Sequence, residues 1–360
     1  MTSDKSSLPP RASSRRISGP DKPKKPVKKK KKKRNILIPL FATLFGLLLI
    51  LAVFLAHLAL KANDAINTIG INESNDLGET VITPVPKDES VKEKPVAFLI
   101  MGLDSRHNGG GLNTDVMMVA AFDPDTKKAT FVTIPRDTYV KAGGYSGGKI
   151  NAAYAEFYMH AKNTDKMEKT AAELAGKKGA RETLGDYFGI DIKYAAMINF
   201  SGFEEVIDAL GGVKVNVDMR MRYSDSADGT NIDLQKGEQV LDGKNALDFV
   251  RYRKSNDGTN MSSDFERNER QSQVLKAILD KMMTLGGLTK LDDVIKAVGD
   301  NVSMDMQSSE IRNMLAKYKS LRSDDITFMA LDGTWKSPYV YADDDSLQAA
   351  RDALQAIMAE

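Results

Sequence analysis

Charged side chains flank three apolar runs in the first half of this 360-residue chain, and these are the residues best suited to chemistry. They are Asp104 and Arg106, Asp115, and Arg136 and Asp137. Each apolar run has the length of a buried strand. The charged groups are therefore expected at strand ends, where a rigid sheet can hold them against a ligand. After the third run, Pro135 ends the strand's hydrogen bonding and turns the next side chains out of the core.

A second set of cationic side chains lies later in the chain. Arg251 and Arg253 are two positions apart, so an extended backbone would point both to the same face. Arg267, Arg270 and Gln271 have the i, i+3 and i+4 spacing that shares one face of a helix. The pattern predicts a site rich in guanidinium groups.

An anionic phosphate ligand suits this combination of residues. The planar guanidinium fork matches the oxygens of a diphosphate diester. Asp104 and Asp115 flank a glycine run with no His or Cys nearby, and such hard oxygen ligands favour Mg²⁺ or Mn²⁺ over zinc. For the arginines, and for Arg270 in particular, local ion pairing with the acidic residues of 264–269 is the alternative.

The residue inventory excludes several kinds of catalytic site. The chain has no cysteine, so it contains no thiol nucleophile, disulfide or zinc–thiolate centre. It has three histidines, of which His57 lies in a long apolar segment. A His-rich metal site or a Ser–His–Asp triad is therefore not expected, and the chemistry must rest on Asp, Glu, Arg, Lys and hydroxyl groups.

One glycine-rich stretch imitates a nucleotide-binding loop. Residues 143–149, GGYSGGK, have the spacing of a phosphate-binding P-loop, but Ile150 stands where that motif needs Ser or Thr for Mg²⁺. The stretch also follows a polar turn and not a strand. It is interpreted as a flexible glycine loop ahead of a helix.

The elements that must position these residues form a mixed pattern over residues 95–360. Near-continuous apolar runs predict strands covered on both faces, at 96–103, 116–122 and 129–134, with shorter strands at 194–200, 213–218 and 326–331. The polar turn 123–128 makes the second and third runs a hairpin. Apolar periodicity predicts helices at 151–161, 167–188, 202–210, 264–284 and 344–359. The fold class is α/β, a three-layer α/β/α sandwich with a central mixed sheet.

The N-terminal part has a different organisation. Residues 1–34 carry fourteen Lys or Arg against two Asp, a net charge of +12, although the whole chain is only +2. Residues 36–60 are uncharged and would span about 37 Å as a helix, enough for one transmembrane helix over 35–60. The basic run 28–34 directly before it places the N-terminus in the cytoplasm. Residues 61–94 are interpreted as an extracytoplasmic stalk, so the domain 95–360 would lie outside the cell membrane.

Two alternatives apply to the N-terminal segment. A cleaved signal peptide typically has a shorter apolar region and ends at a small-x-small site, whereas this run closes with leucines. A retained anchor fits better. The basic run could also bind nucleic acid, but its position against the membrane favours topology and contact with anionic lipid, so no nucleic-acid partner is expected.

Motifs in a constant order carry a resemblance to a known family. The chain resembles the LytR–CpsA–Psr family in its basic tail, its single span and a series of motifs. These motifs are, in order, GLDSR, VTIPRDTYV, KINAAY, ALDFVRYR and DFERNERQ. The similarity runs from about residue 95 to the region of Trp335. It implies an α/β/α sandwich that transfers a phosphoglycan, such as teichoic acid or capsule, from a polyprenyl diphosphate carrier to peptidoglycan in a Gram-positive type of cell.

The resemblance also implies roles for individual residues. Asp104 and Asp115 would hold Mg²⁺, with Asp104 also a candidate general base. The diphosphate-binding residues would be Arg136, Arg251, Arg253 and Arg267, with Asp137, Arg270 and Gln271 in supporting positions. Two features depart from the family: Asn113 stands where many members have Arg, and the connection 254–263 is longer than usual.

Three functions remain open from the sequence. The first is a phosphotransferase whose acceptor is a sugar hydroxyl of peptidoglycan, in which the arginines and Mg²⁺ stabilise the leaving phosphate. The second is a diphosphatase with water as the acceptor. The third is a lipid-binding regulator without catalysis. The polymer, the acceptor position and the oligomeric state are not determined by these patterns.

Overall fold

The computed structural model of the chain describes residues 56–71, 84–103, 111–226, 229–284 and 291–359. Its strands are β1 (Val96–Leu103), β2 (Thr114–Phe122), β3 (Ala129–Thr133), β4 (Tyr139–Val140), β5 (Gly148–Lys149), β6 (Ile192–Asn199), β7 (Val213–Val217), β8 (Met221–Asp225), β9 (Thr230–Leu234), β10 (Gly237–Leu241), β11 (Val302–Met304), β12 (Ile326–Ala330), β13 (Gly333–Lys336) and β14 (Tyr339–Ala342). Its helices are α1 (56–69), α2 (Ala153–Asn163), α3 (Lys169–Phe188), α4 (Phe200–Leu210), α5 (Gly243–Arg251), α6 (Asp264–Thr284), α7 (Leu291–Asn301), α8 (Ser308–Tyr318) and α9 (Asp344–Met358).

The central sheet is mixed, with strand order β11-β6-β1-β2-β3-β12. β2 pairs antiparallel with β1 and β3, whereas β6 is parallel to β1 and β12 is parallel to β3. The predicted mixed α/β fold and the hairpin of the second and third runs are confirmed. Because β2 runs opposite to its neighbours, its first residues lie at the same edge as the last residues of β1 and β3. Leu103 is paired with Thr114, and Thr133 with Met118.

Helices cover both faces of this sheet. Leu99 packs in one core with Leu184 of α3 and Leu354 of α9, whereas Phe98 packs in the opposite core with Tyr318 of α8. Successive side chains of β1 thus enter different cores, which is why its sequence is apolar without alternation. Burial of each large apolar side chain stabilises the fold by roughly 1.5–3 kcal/mol relative to exposure.

A smaller core packs α4 and α5 against two short strand pairs, β7–β10 and β8–β9. In it, Asp242 caps α5 by accepting a hydrogen bond from the Asn245 backbone N–H at 2.9 Å. The helix continues to Arg251 because Leu247 and Val250 face this core. Sharing of one face by Arg251 and Arg253 was expected only for an extended backbone, and that condition is not met at Arg251, which is the last residue of α5.

The described parts of the predicted stalk pack against the domain. In α1, Ile69 is buried, and the Ile71 backbone N–H donates to the Met306 carbonyl at 2.9 Å. Further on, Glu310 of α8 accepts hydrogen bonds from the Ser90 hydroxyl and the Val91 N–H, at 3.0 and 2.8 Å. These parts belong to the folded domain and do not form a free stalk. Widely spaced apolar residues in a polar segment gave too little periodicity to show this.

The predicted tail and most of the predicted span, residues 1–55, lie outside the described residues. Within the part of the chain that the structure describes, no helix combines the length and hydropathy needed to cross a membrane.

Candidate active site

The edge where β2 begins and β3 ends brings Asp115, Arg136 and Asp137 together. Arg136 donates from Nη1 to Asp115 Oδ1 at 2.5 Å, and its Nε lies 3.8 Å from Asp137 Oδ2. Arg136 Nε is buried and has no hydrogen-bond partner among the described residues. A buried cationic donor without a partner is costly unless a ligand supplies the acceptor.

The backbone of the Pro135–Arg136–Asp137 segment is fixed from several directions. The Arg136 carbonyl accepts from the Asn151 N–H at 3.2 Å, and the Asp137 carbonyl accepts from the Val340 N–H at 2.9 Å. Asn151, in the turn that leads into α2, and Val340 of β14 therefore hold this segment in place. The two charged side chains consequently project from a rigid support, as the sequence predicted for a strand end.

The end of α5 and the loop after it supply Arg251 and Arg253. Tyr252 between them is buried, and its hydroxyl lies 2.9 Å from Ser255 Oγ. Arg251 also stacks on Phe200, with Cζ 4.8 Å from the ring centre. The buried tyrosine anchors the loop, and both arginines line the same cavity.

Helix α6 contributes Arg267 and Gln271 to that cavity, one turn apart, but it directs Arg270 elsewhere. The Arg270 guanidinium is buried and binds Asp218 through both carboxylate oxygens, at 2.8 and 2.7 Å. It also donates to the Tyr252 carbonyl at 3.4 Å. Arg270 thus ties α6 to the loop that carries Arg251 and Arg253.

The resulting first cavity has a volume of about 490 Å³. Its cationic lining consists of Arg136, Arg251, Arg253, Lys254 and Arg267, facing Asp115. Apolar walls come from the smaller core, including Ile232 and Val250. The cavity therefore combines guanidinium groups from three separate segments with an apolar side.

Burial and mutual repulsion perturb these arginines. Burial, with Arg253 and Arg136 close by, lowers the pKa of Arg267 to about 9, and Asp115 and Asp137 only partly oppose this. Burial, with Arg136, also lowers the pKa of Arg253. With a pKa of about 9, Arg267 is still protonated at pH 7, so the cavity holds positive charge that is poorly solvated. An anionic ligand would relieve this cost.

A second cavity of about 470 Å³ lies beside the first and shares Asn113, Asp115 and Arg136 with it. Its own lining includes Lys149 and Tyr339, to which the sequence patterns assigned no role. Lys149 Nζ lies 2.8 Å from Asp137 Oδ1. Lys149 belongs to the glycine stretch that imitates a P-loop, and its strand β5 pairs with β4 next to the Pro135 turn. That proximity in sequence to a charged motif was the available signal.

Only one of the two predicted metal ligands lies in the part of the chain that the structure describes. Asp104 falls in residues 104–110, outside the described residues, whereas Asp115 is at the cavity with its side chain 25% exposed. Within the described ranges no group of three or more His, Cys, Asp or Glu side chains is placed to hold a metal ion. The Asp115 carboxylate is a hard oxygen donor of the kind that Mg²⁺ prefers.

Comparisons with known proteins agree on one family. The model of the LytR_cpsA_psr family matches residues 58–358. A relative from Oceanobacillus iheyensis, named polyisoprenyl-teichoic acid–peptidoglycan teichoic acid transferase TagU, is 30% identical over 273 residues, covering 73% of this chain and 78% of the relative.

Solved structures resemble the fold to a similar degree. TagV of Bacillus subtilis is 28% identical with a TM-score of 0.56, covering 74% of this chain and 97% of that one. A structure described as TagT bound to LI-WTA is 25% identical with a TM-score of 0.53, covering 78% of this chain and 100% of that one.

Proposed function

Because the chain belongs to the LytR_cpsA_psr family, we propose that it transfers an anionic glycopolymer, of the teichoic acid type, from a polyprenyl diphosphate carrier to peptidoglycan. Its relatives are named as polyisoprenyl-teichoic acid–peptidoglycan teichoic acid transferases. One observation in this chain carries the proposal most directly. Four arginines from three separate segments share a cavity in which burial and repulsion lower the pKa of Arg267 to about 9.

The arginines bind the diphosphate and stabilise the charge that develops on it. Arg136 lines the cavity together with Arg253, from the loop after α5, and Arg267, from α6. Preorganised guanidinium groups in a poorly solvated site stabilise a leaving phosphate more than they would in water. Asp115 orients Arg136 through the 2.5 Å hydrogen bond, and Asp218 with Arg270 positions the loop that carries Arg253.

In the transfer, an acceptor hydroxyl oxygen bonds to the phosphorus that carries the glycan. The bond from this phosphorus to the bridging oxygen breaks, and polyprenyl phosphate leaves with both electrons. The hydroxyl proton passes to a carboxylate. Asp137, next to Lys149, and Asp104 are the candidates.

We assign Asp104 and Asp115 as the protein ligands of a Mg²⁺ (or Mn²⁺) ion. Bound there, the ion would supply positive charge to phosphate oxygens. The support is the donor set, since carboxylate oxygens suit these ions and the chain has no cysteine.

The proposal includes a location on the outer side of the cell membrane. The support is the +12 tail of residues 1–34 followed by the uncharged run 36–60. Peptidoglycan and the carrier's glycan lie on that side, so a domain that joins them must face it. The described helix α1 packs on α8, where Arg312 donates to the Asn63 and Asn67 side chains.

A transfer assay with a short-chain polyprenyl diphosphate-linked glycan and peptidoglycan fragments tests the function. The expected product is the fragment bearing a phosphoglycan, formed with one polyprenyl phosphate per transfer. Arg253→Ala and Arg267→Ala should each reduce it strongly. Arg351→Ala is a control, because Arg351 donates to the Tyr187 carbonyl and lines neither cavity. Release of polyprenyl phosphate without glycan transfer would instead identify a diphosphatase, and binding without turnover a regulator.

A further inference from the structure

The proposed donor site accounts for the first cavity but leaves the second one unexplained. The second cavity is lined on its own side by Asp137, Lys149, Asn151 and Tyr339. It meets the first at Asp115 and Arg136, so a molecule in it reaches the same charged groups from another direction. Among the described residues, Arg136 and Lys149 are the cationic side chains that line it, and its ligand need not be an anion.

An exposed tryptophan stands at the border of the second cavity. Trp335 of β13 is 54% exposed, and Lys149 Nζ lies 5.8 Å from its ring centre. Trp335 is the sole tryptophan of the chain. A tryptophan usually contributes most when buried, so a large ring left exposed beside a polar cavity is notable.

The hairpin of β13 and β14, which carries Trp335, packs against the segment that contains Asp137 and Tyr139. Tyr339 of β14 packs on Tyr139 with ring centres 5.0 Å apart, and Tyr341 packs on Tyr139 at 5.6 Å. The Val340 N–H donates to the Asp137 carbonyl at 2.9 Å. These contacts fix the position of the hairpin relative to Asp137 and do not involve Trp335, whose ring lies beside Lys149.

The chemistry of the subsite matches a sugar. A pyranose ring has C–H groups on its faces and hydroxyl groups at its rim. A flat aromatic surface can take the face, while carboxylate, ammonium and amide groups such as Asp137, Lys149 and Asn151 bind the rim. A lipid chain would need an apolar lining, which the polar groups of this cavity do not offer.

We infer that the second cavity and Trp335 form the acceptor subsite, in which a sugar ring of the peptidoglycan glycan strand stacks on Trp335. This inference rests on the proposed function, because it names where the acceptor of that reaction binds. A hydroxyl held there lies beside Asp137 and faces the diphosphate across Arg136. Donor and acceptor thus enter through different cavities and meet at their shared wall.

Tryptophan fluorescence provides a direct test that does not require turnover. The probe is a stem-peptide-free oligosaccharide of alternating N-acetylglucosamine and N-acetylmuramic acid, titrated into the full-length protein in lipid nanodiscs. Binding should shift the emission and protect it from acrylamide quenching. Maltohexaose serves as the comparison sugar and should have no effect. An unchanged emission and unchanged quenching at saturating oligosaccharide would overturn the assignment, whether or not the protein is a transferase.

Kinetics of three variants separate acceptor binding from donor binding. Trp335→Ala should raise KM for the peptidoglycan fragment about tenfold, the effect of losing about 1.4 kcal/mol at an aromatic contact. Trp335→Phe keeps a ring and should recover most of that loss. Leu315 of α8 is apolar, 58% exposed and lines neither cavity, so Leu315→Ala should have the same KM as the parent.

The donor half of the reaction supplies the counter-test. The rate at which the donor is hydrolysed to polyprenyl phosphate, with water as the acceptor, should change less than twofold in Trp335→Ala, because the arginine cavity is intact. Equal losses of transfer and hydrolysis would place Trp335 with the donor and refute the inference. An unchanged KM for the fragment would refute it as well. If the parent transfers nothing, the proposed function fails, and the fluorescence titration still decides the subsite.

Discussion

Replacing Arg136 tests whether its charge serves a ligand or the fold. The guanidinium donates to Asp115 at 2.5 Å, and its buried Nε has no partner among the described residues. Arg136→Ala removes the group, whereas Arg136→Lys keeps the charge but loses the planar fork. A single ammonium cannot present two parallel donors to one phosphate. The lysine variant should therefore fail nearly as badly as the alanine variant.

The expected size of the two effects differs. Loss of a charge-assisted hydrogen bond costs about 1.5–3 kcal/mol, or roughly 10- to 150-fold in transfer rate if the whole effect appears in the transition state. For folding, the partly exposed pair with Asp115 contributes about 0–1 kcal/mol. Removing Arg136 also relieves repulsion on Arg253 and Arg267. The two contributions oppose each other, so the Tm should move by no more than about 2–4 °C.

The measurement is the transfer rate and the Tm of the same purified variants. Arg351→Lys is the matched control, because Arg351 donates two hydrogen bonds to the Tyr187 carbonyl and lines neither cavity. It should transfer at the parental rate. A large fall in Tm for Arg136→Lys with an unchanged transfer rate would show that Arg136 is structural, and the diphosphate would then have to bind elsewhere.

Four further outcomes follow from the structure. Asp218→Ala should lower stability by about 1–3 kcal/mol, because it leaves the buried Arg270 without its half-exposed carboxylate partner; a Tm near the parent's would contradict this. The kcat/KM should fall as pH rises through about 9, where Arg267 loses its proton in the free protein, and this limb should vanish in Arg267→Gln. Folding disfavours protonated Arg267, so the contribution of this residue to stability increases with pH above that value. EDTA should abolish transfer and Asp115→Asn should weaken it in a way that added Mg²⁺ partly restores, so full activity in EDTA would refute the metal assignment. Protease added to wall-stripped cells should degrade residues 61–360 and spare the tail; a protected domain would reverse the proposed orientation.

The sequence alone determined much of the scaffold and one corner of the site. Continuous apolar runs predicted β1, β2 and β3 because strands covered on both faces must be apolar on both. Periodicity predicted the helix 264–284 with the same bounds as α6. The hairpin turn then placed Asp115 and Arg136 at one edge, since antiparallel neighbours bring the start of one strand beside the end of the other.

Tertiary structure decided which charges meet. Their i, i+3 spacing places Arg267 and Arg270 on the same predicted helix face. In the structure, however, Arg267 lines the cavity and Arg270 binds Asp218, which is far away in sequence. Arg251 reaches the cavity from a helix end and not from a strand. The apolar periodicity of a sequence indicates which face of a helix is buried, but not which group of another element lies opposite that face. Lys149 and Trp335 joined the site for the same reason: a loop and a distant hairpin pack beside the Pro135 turn, and pairing of that kind exists only after the chain has folded.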